Sequence, residues 1–271
     1  LTFFLFSFYN SFSQVKIAEV NLEIPGGYTT SVAEFTDLDK DYFIRTDGSD
    51  ISGEVYTNTQ GNFYFGSQDL AGEGATIPLR LLLDGIDISG YENLEFRVYL
   101  AEDDDGANQD WDEIDYVHFS YDVDNSGTYT NLIWIENDGS TFNSAPFIDT
   151  DFDVTGDGTE ITDNFEQFIE SIAGTGNNLD IEIEFNLDAG DEDFAIDSID
   201  IWGTFQACST TTTWTNLGWS AGPPDINTSA ILDFDYDTGA DGNIIACSLT
   251  VNTGIELNVE NNTSVEIKNE I

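Results

Sequence analysis

The sequence predicts an all-β protein, a β-sandwich followed by the start of a β-solenoid. Three observations lead there. After Gln14 the apolar residues recur mostly with period two, turns rich in Gly, Asn and Asp separate the segments, and past residue 205 the segments become shorter and closer. In 92–102, Leu94, Phe96, Val98 and Leu100 share one face while Glu95, Arg97 and Tyr99 share the other. In 178–187, Leu179, Ile181, Ile183, Phe185 and Leu187 alternate with Asp180, Glu182 and Glu184. Further strands are expected over 16–22, 41–46, 62–66, 77–83, 114–123, 129–136 and 194–202. One polar face per strand fits antiparallel sheets with a solvated outer side. One segment departs from this rhythm. In 163–173, Phe165, Phe168, Ile169 and Ile172 follow helical spacing behind Thr162 or Asp163 as N-cap, which predicts a short helix.

Charge narrows the function. The 271 residues carry 6 basic and 53 acidic side chains, a formal charge of −47. Six scattered basic residues cannot neutralise a phosphate backbone, so nucleic-acid binding is excluded, and an anionic membrane surface would repel the chain. With 40% hydrophobic and 13% aromatic residues the chain can still build a core. The excess acid is expected to make the fold sensitive to salt.

The first residues, Leu1 to Gln14, carry no charge and are too short to span a bilayer, which needs about 20 apolar residues. They suit a signal-peptide remnant, with Ser11 and Ser13 as the small residues of a cleavage site; a buried first strand is the alternative. No later stretch reaches transmembrane length. In an exported chain the pair Cys208 and Cys247 favours one disulfide, with two buried thiols as the alternative. Two Cys and one His make a zinc site improbable.

These features divide the chain into 1–14, a sandwich over 15–205 and a solenoid segment over 206–271. The junction, Phe205 to Trp214, reads as an uncharged Thr-rich linker. Beyond it come short apolar pairs, Ile231-Leu232, Ile244-Ile245, Leu249/Val251, Ile255/Leu257/Val259 and Val265/Ile267, spaced as coils that each bury a face on the next. The pattern stops at Ile271 as it becomes established, so the natural protein is expected to continue.

Several motifs carry a resemblance. Thr211 to Trp214, Gly218-Trp219-Ser220, Gly222 to Asp225 and Ala246 to Gly254 resemble the opening of the repetitive β-segment in large surface proteins exported by the bacterial type IX secretion pathway. Tyr64-Phe65, Gln68-Asp69-Leu70, Ala101 to Gly106, Asp110-Trp111-Asp112 and Asp191 to Ile199 resemble jelly-roll modules, galactose-binding-like or related, that accompany such segments. The resemblance implies a jelly-roll β-sandwich on the cell surface or outside the cell, in an adhesin or beside a hydrolase or nuclease. It also implies one structural calcium between an early acid, Glu34 or Asp47, and Asp193 or Asp197 on the final strand. The residues support Asp197 most, since it shares a strand side with Ala195, Ile199 and Ile201, where an acid needs a partner.

Two loops offer further calcium ligands. Asp122, Asp124, Ser126 and Gly127 reproduce the first half of an EF-hand-like loop, although Ile133 stands where the bidentate carboxylate belongs. Asp149, Asp151, Asp153, Asp157 and Glu160 crowd a second loop. About one residue in five is acidic, so chance produces such spacings too.

Catalysis is not indicated. His118 is the only histidine, no Gly-x-Ser-x-Gly elbow exists, and a carboxylate pair for glycoside hydrolysis cannot be located among so many acids. Binding of a polysaccharide or another surface ligand leads, because exposed aromatic rings stack on sugars. Trp111, Tyr116 and His118 are the candidate contacts, while Tyr99 and Trp134 fit ordinary cross-strand pairs. The alternatives are an accessory module of a secreted hydrolase or nuclease, or a spacer in a surface fibre.

Overall fold

A computed structural model describes residues 14–52, 55–103, 111–140 and 144–270. Residues 1–13 of the expected signal remnant over 1–14, and residues 104–110, lie outside the described residues. The chain forms two compact units, one of Val15–Ser89 with Asn93–Gly203, the other of Gly90–Glu92 with residues from Thr204 onward.

The first unit is a jelly-roll β-sandwich. Its strands are β1 (Val15–Val20), β2 (Thr29–Thr30), β3 (Phe35–Thr36), β4 (Tyr42–Thr46), β5 (Tyr64–Gln68), β6 (Leu79–Asp87) and β7 (Tyr91–Ala101). They continue as β8 (Tyr116–Val123), β9 (Thr130–Glu136), β10 (Phe147–Asp149), β11 (Glu166–Ile172), β12 (Asn178–Asn186) and β13 (Asp193–Phe205). Sheet A runs β11-β7-β13-β5-β4-β3, with β1 also on β13, and sheet B runs β10-β9-β8-β12-β6-β2. The alternation decides which side chains meet between them. Leu94, Phe96, Val98 and Leu100 from β7 are buried, as are Val117, Phe119, Tyr121, Ile181, Ile183 and Phe185 from sheet B. Phe43 packs edge-on to Phe65 at 4.8 Å and to Phe185 at 5.3 Å, and Phe96 meets Phe119 at 5.8 Å, so aromatic contacts join the sheets.

The segment 163–173 is not a helix. Its core is the edge strand β11, paired antiparallel with β7 from Glu166↔Leu100 to Ile172↔Leu94. Phe168 and Ile172 share one side of that strand, and Ile169 lies on the other, 49% exposed. Pairing with the open edge of β7 satisfies backbone groups that helical propensity alone would have turned inward.

The second unit is a β-solenoid segment of β14 (Thr210–Thr215), β15 (Gly218–Trp219), β16 (Thr228–Leu232), β17 (Tyr236–Asp237), a single helical turn α1 (Thr238–Asp241), β18 (Ile244–Val251), β19 (Leu257–Asn258) and β20 (Val265–Glu270). β14, β16, β18 and β20 stack in parallel, which places like residues above one another. Thr212, Ala230 and Leu249 form one buried row, and Ser229 bonds Ser248 across the ladder at 2.8 Å. The Thr-rich run is therefore the first strand of this sheet rather than a linker. Cys208 and Cys247 form a disulfide. Among the described residues no helix is long and apolar enough to cross a membrane.

Candidate functional site: the outer face of sheet B

Strand alternation that buries Val117, Phe119 and Phe185 turns their neighbours outward. β8 thus presents Tyr116, His118 and Ser120, β9 presents Trp134 and Glu136, β12 presents Glu182, Glu184 and Asn186, and β6 presents Arg80. Register then gathers them. His118 stands opposite Trp134 on one side and Glu184 on the other, and Glu184 stands opposite Arg80.

The rings form a ridge. Tyr116 stacks on His118 at 4.0 Å and 20°, and Trp134 stacks on His118 at 3.9 Å and 10°. Two near-parallel rings at that distance cannot share one face of an imidazole, so they cover both of its faces. His118 Nε2 is held by Glu136 Oε1 at 2.5 Å. His118 is therefore a spacer between Tyr116 and Trp134 and has no open face for a ligand. Phe152 extends the ridge, edge-on to Trp134 at 5.4 Å and 39% exposed.

Polar groups flank the rings. Arg80 bridges Glu184 at 2.5 Å and Glu182 at 3.3 Å. Burial, followed by the charges of Glu184 and Glu136, raises the Tyr116 hydroxyl above its ordinary value. A recess of about 230 Å³ opens beside the ridge, lined among others by Leu132, Ile148, Phe152 and Phe168.

Asp149 shapes that border. Its carboxylate accepts the amides of Asp151 at 3.2 Å, Phe152 at 2.7 Å and Val154 at 2.9 Å. Phe152 and Val154 adopt φ of 60° and 68°, costly for a bulky and a β-branched residue, and these bonds hold them there. Asp157 accepts the amide and hydroxyl of Thr150. Asp151 and Asp153 are exposed beside Asp149, and their mutual repulsion raises Asp151. In the other proposed loop, Asp122 takes the amide and hydroxyl of Ser126 and the amide of Gly127, and Asp124 takes the amides of Asn177 and Asn178. Both loops thus spend carboxylate lone pairs on backbone amides.

Trp111 is not a contact residue. It is fully buried, its ring packed 6.2 Å from Phe194. Tyr99 packs against a cluster of Tyr64, Ala101, Phe165 and Ala195.

On β13, Asp193 and Asp197 are both buried. Asp193 accepts the Tyr56 hydroxyl at 2.6 Å and the Asp103 amide at 2.9 Å, yet burial lifts it to about 7. Asp197 Oδ2 accepts the Gln60 amide at 2.7 Å, Oδ1 has no hydrogen-bond partner, and burial lifts the group to about 6. The acid whose charge reaches Asp197 is Glu23. Neither expected early acid takes that place. Glu34 accepts the Tyr28 hydroxyl and the Arg45 amide, and Asp47 accepts from Ser49. The fold also brings Gly61 against Glu23, where a Cβ would collide with the carboxylate.

No protein-family model matches the sequence, and no curated protein matches it. Solved structures do. The chain is similar to the CBM22-1 xylan-binding domain from Paenibacillus barcinonensis, with 12% identity, a TM-score of 0.38, and coverage of 73% of this chain and 99% of that one. It is similar to the K3 cleaved adhesin domain of Lys-gingipain from Porphyromonas gingivalis, with 11% identity, a TM-score of 0.38, and coverage of 70% and 99%. It is also similar to a family 35 carbohydrate-binding module from Clostridium thermocellum, with 14% identity, a TM-score of 0.35, and coverage of 68% and 98%. At these values the likeness bears on no residue of the site.

Proposed function

We propose that the sandwich is a non-catalytic module that binds a neutral polysaccharide on the outer face of sheet B. The observation that carries this reading is the ridge Tyr116, His118, Trp134 and Phe152 on a solvent-facing sheet. Tyr116, Trp134 and Phe152 supply apolar surface for sugar rings, while Glu182, Glu184, Arg80 and Asn186 supply hydroxyl partners. Two glutamates around one guanidinium, with Glu136 on the same face, disfavour a polyuronate. In affinity electrophoresis of the chain, gels containing a neutral polysaccharide retard it and gels containing a polyuronate do not. Unchanged mobility in every gel would sink the reading.

The setting is extracellular or on the cell surface, a reading supported by the disulfide. Export by type IX secretion belongs to the same reading, on the motifs of 211–254 alone.

Calcium is the structural ion of this proposal, with Asp197 and Glu23 as its acidic holders. A buried carboxylate oxygen without a donor fits a hard cation. Calcium then raises the melting temperature of the chain, and Asp197→Asn removes part of that gain. An equal gain in both proteins would count against Asp197.

A further inference from the structure

A second carboxylate cluster lies where β8 and β13 begin. Asp112 and Asp115 sit in the turn that precedes β8, and Glu192 is the residue before β13. One oxygen from each lies within 4.8 Å of the others. Asp115 is fully buried and Glu192 only 2% exposed. Such crowding calls for compensation.

Hydrogen bonds supply part of it. Asp115 Oδ2 accepts the Asp112 amide at 2.5 Å, Asp112 Oδ1 accepts the Ile114 amide at 2.9 Å, and Glu192 Oε2 accepts the amides of Asp188 and Ala189 at 2.5 and 2.7 Å. These bonds fix all three carboxylates on short turns. Asp115 and Glu192 are in side-chain hydrogen-bond contact with each other, yet Asp115 Oδ1 is buried with no donor, and so is Nε1 of the adjoining Trp111 without an acceptor. Both side chains charged against Asp115, Glu192 and Asp112, are acidic. Lys16, Lys40, Arg80 and Arg97 pair with other carboxylates, and Arg45 donates to the carbonyls of Leu22 and Glu23.

We propose that Asp112, Asp115 and Glu192 form a binding site for a hard divalent cation, with calcium as the first choice. The donor set is oxygen only, which selects calcium or magnesium over metals that favour nitrogen or sulfur. Calcium tolerates the irregular geometry of two turns, and water or carbonyl oxygens complete its shell. Occupancy would tie the start of β8 to the start of β13 and so connect the two sheets.

The test uses the full chain, stripped with EDTA and titrated with calcium in equilibrium dialysis, and with terbium under tryptophan excitation. Trp111, next to Asp112 in the chain, is the expected sensitiser. Glu192→Gln and Asp112→Asn are expected to bind one calcium ion fewer than the wild type, or that ion at least about tenfold more weakly. Both should lose sensitised terbium emission, whereas Asp197→Asn keeps it. Asp112→Asn decides the matter if Glu192→Gln fails to fold, because an amide oxygen still accepts the Ile114 N–H. Calcium stoichiometry, affinity and terbium emission unchanged in both variants would overturn the proposal and leave proton sharing as the compensation.

Discussion

Asp149 has the chain spacing of a metal ligand, and its oxygens clamp the backbone amides of Asp151, Phe152 and Val154. The clamp holds Phe152 against Trp134. Asp149→Ala should cost about 1–3 kcal/mol, read as a lower melting temperature, because three amides lose a charged acceptor. It should also weaken ligand binding, since Phe152 is no longer held. A melting temperature equal to the wild type's would show that the loop keeps its shape without the clamp. Sequence spacing cannot tell a clamp from a ligand, because both need clustered oxygens. Trp111 shows the opposite case. Its acidic neighbours suggest exposure, but the ring is buried, packed 6.2 Å from Phe194 at an isolated bridge with Ser144. No strand period in the sequence marks that position. Glu23, Asp115 and Glu192 were not readable, since their importance comes from chain segments that meet only in the fold.

Among the elements, strands with one buried face were legible because their period matches the pleat. β7, β8, β9, β12 and β13 fall where the alternation places them, within a few residues. β11 was not legible. An edge strand packs unevenly, so Phe165, Phe168, Ile169 and Ile172 imitate a helical stripe while Glu166–Ile172 pair with β7. β14 escaped notice for another reason. Its Thr-rich strand has no apolar period, and Thr212 is buried only because the parallel stack sets it over Ala230. The disulfide belongs to this same unit and spans 39 residues in sequence. Reduction should destabilise the solenoid segment by a few kcal/mol in the chain-entropy model. Limited proteolysis reads this directly: cleavage within 204–271 should accelerate in reductant while the sandwich stays intact. Equal cleavage rates would mean that stacked coils alone hold the segment.

At the scale of the molecule, a formal charge of −47 opposes compaction. Salt screens this repulsion, the Debye length falling from about 8 Å at physiological strength to about 3 Å at 1 M. The melting temperature should rise with sodium chloride and fall with EDTA at low salt, and indifference to both would refute the electrostatic account. The central claim is that sugar binds the ridge on sheet B. Its most direct test is isothermal titration of a polysaccharide that retards the chain in gels, comparing wild type, Trp134→Ala and Tyr99→Ala. Trp134 carries the ridge, whereas Tyr99 packs in the cluster of Tyr64, Phe165 and Ala195 on sheet A. Trp134→Ala should weaken binding about tenfold or more and Tyr99→Ala about twofold at most. Full affinity in a folded Trp134→Ala protein would contradict the account.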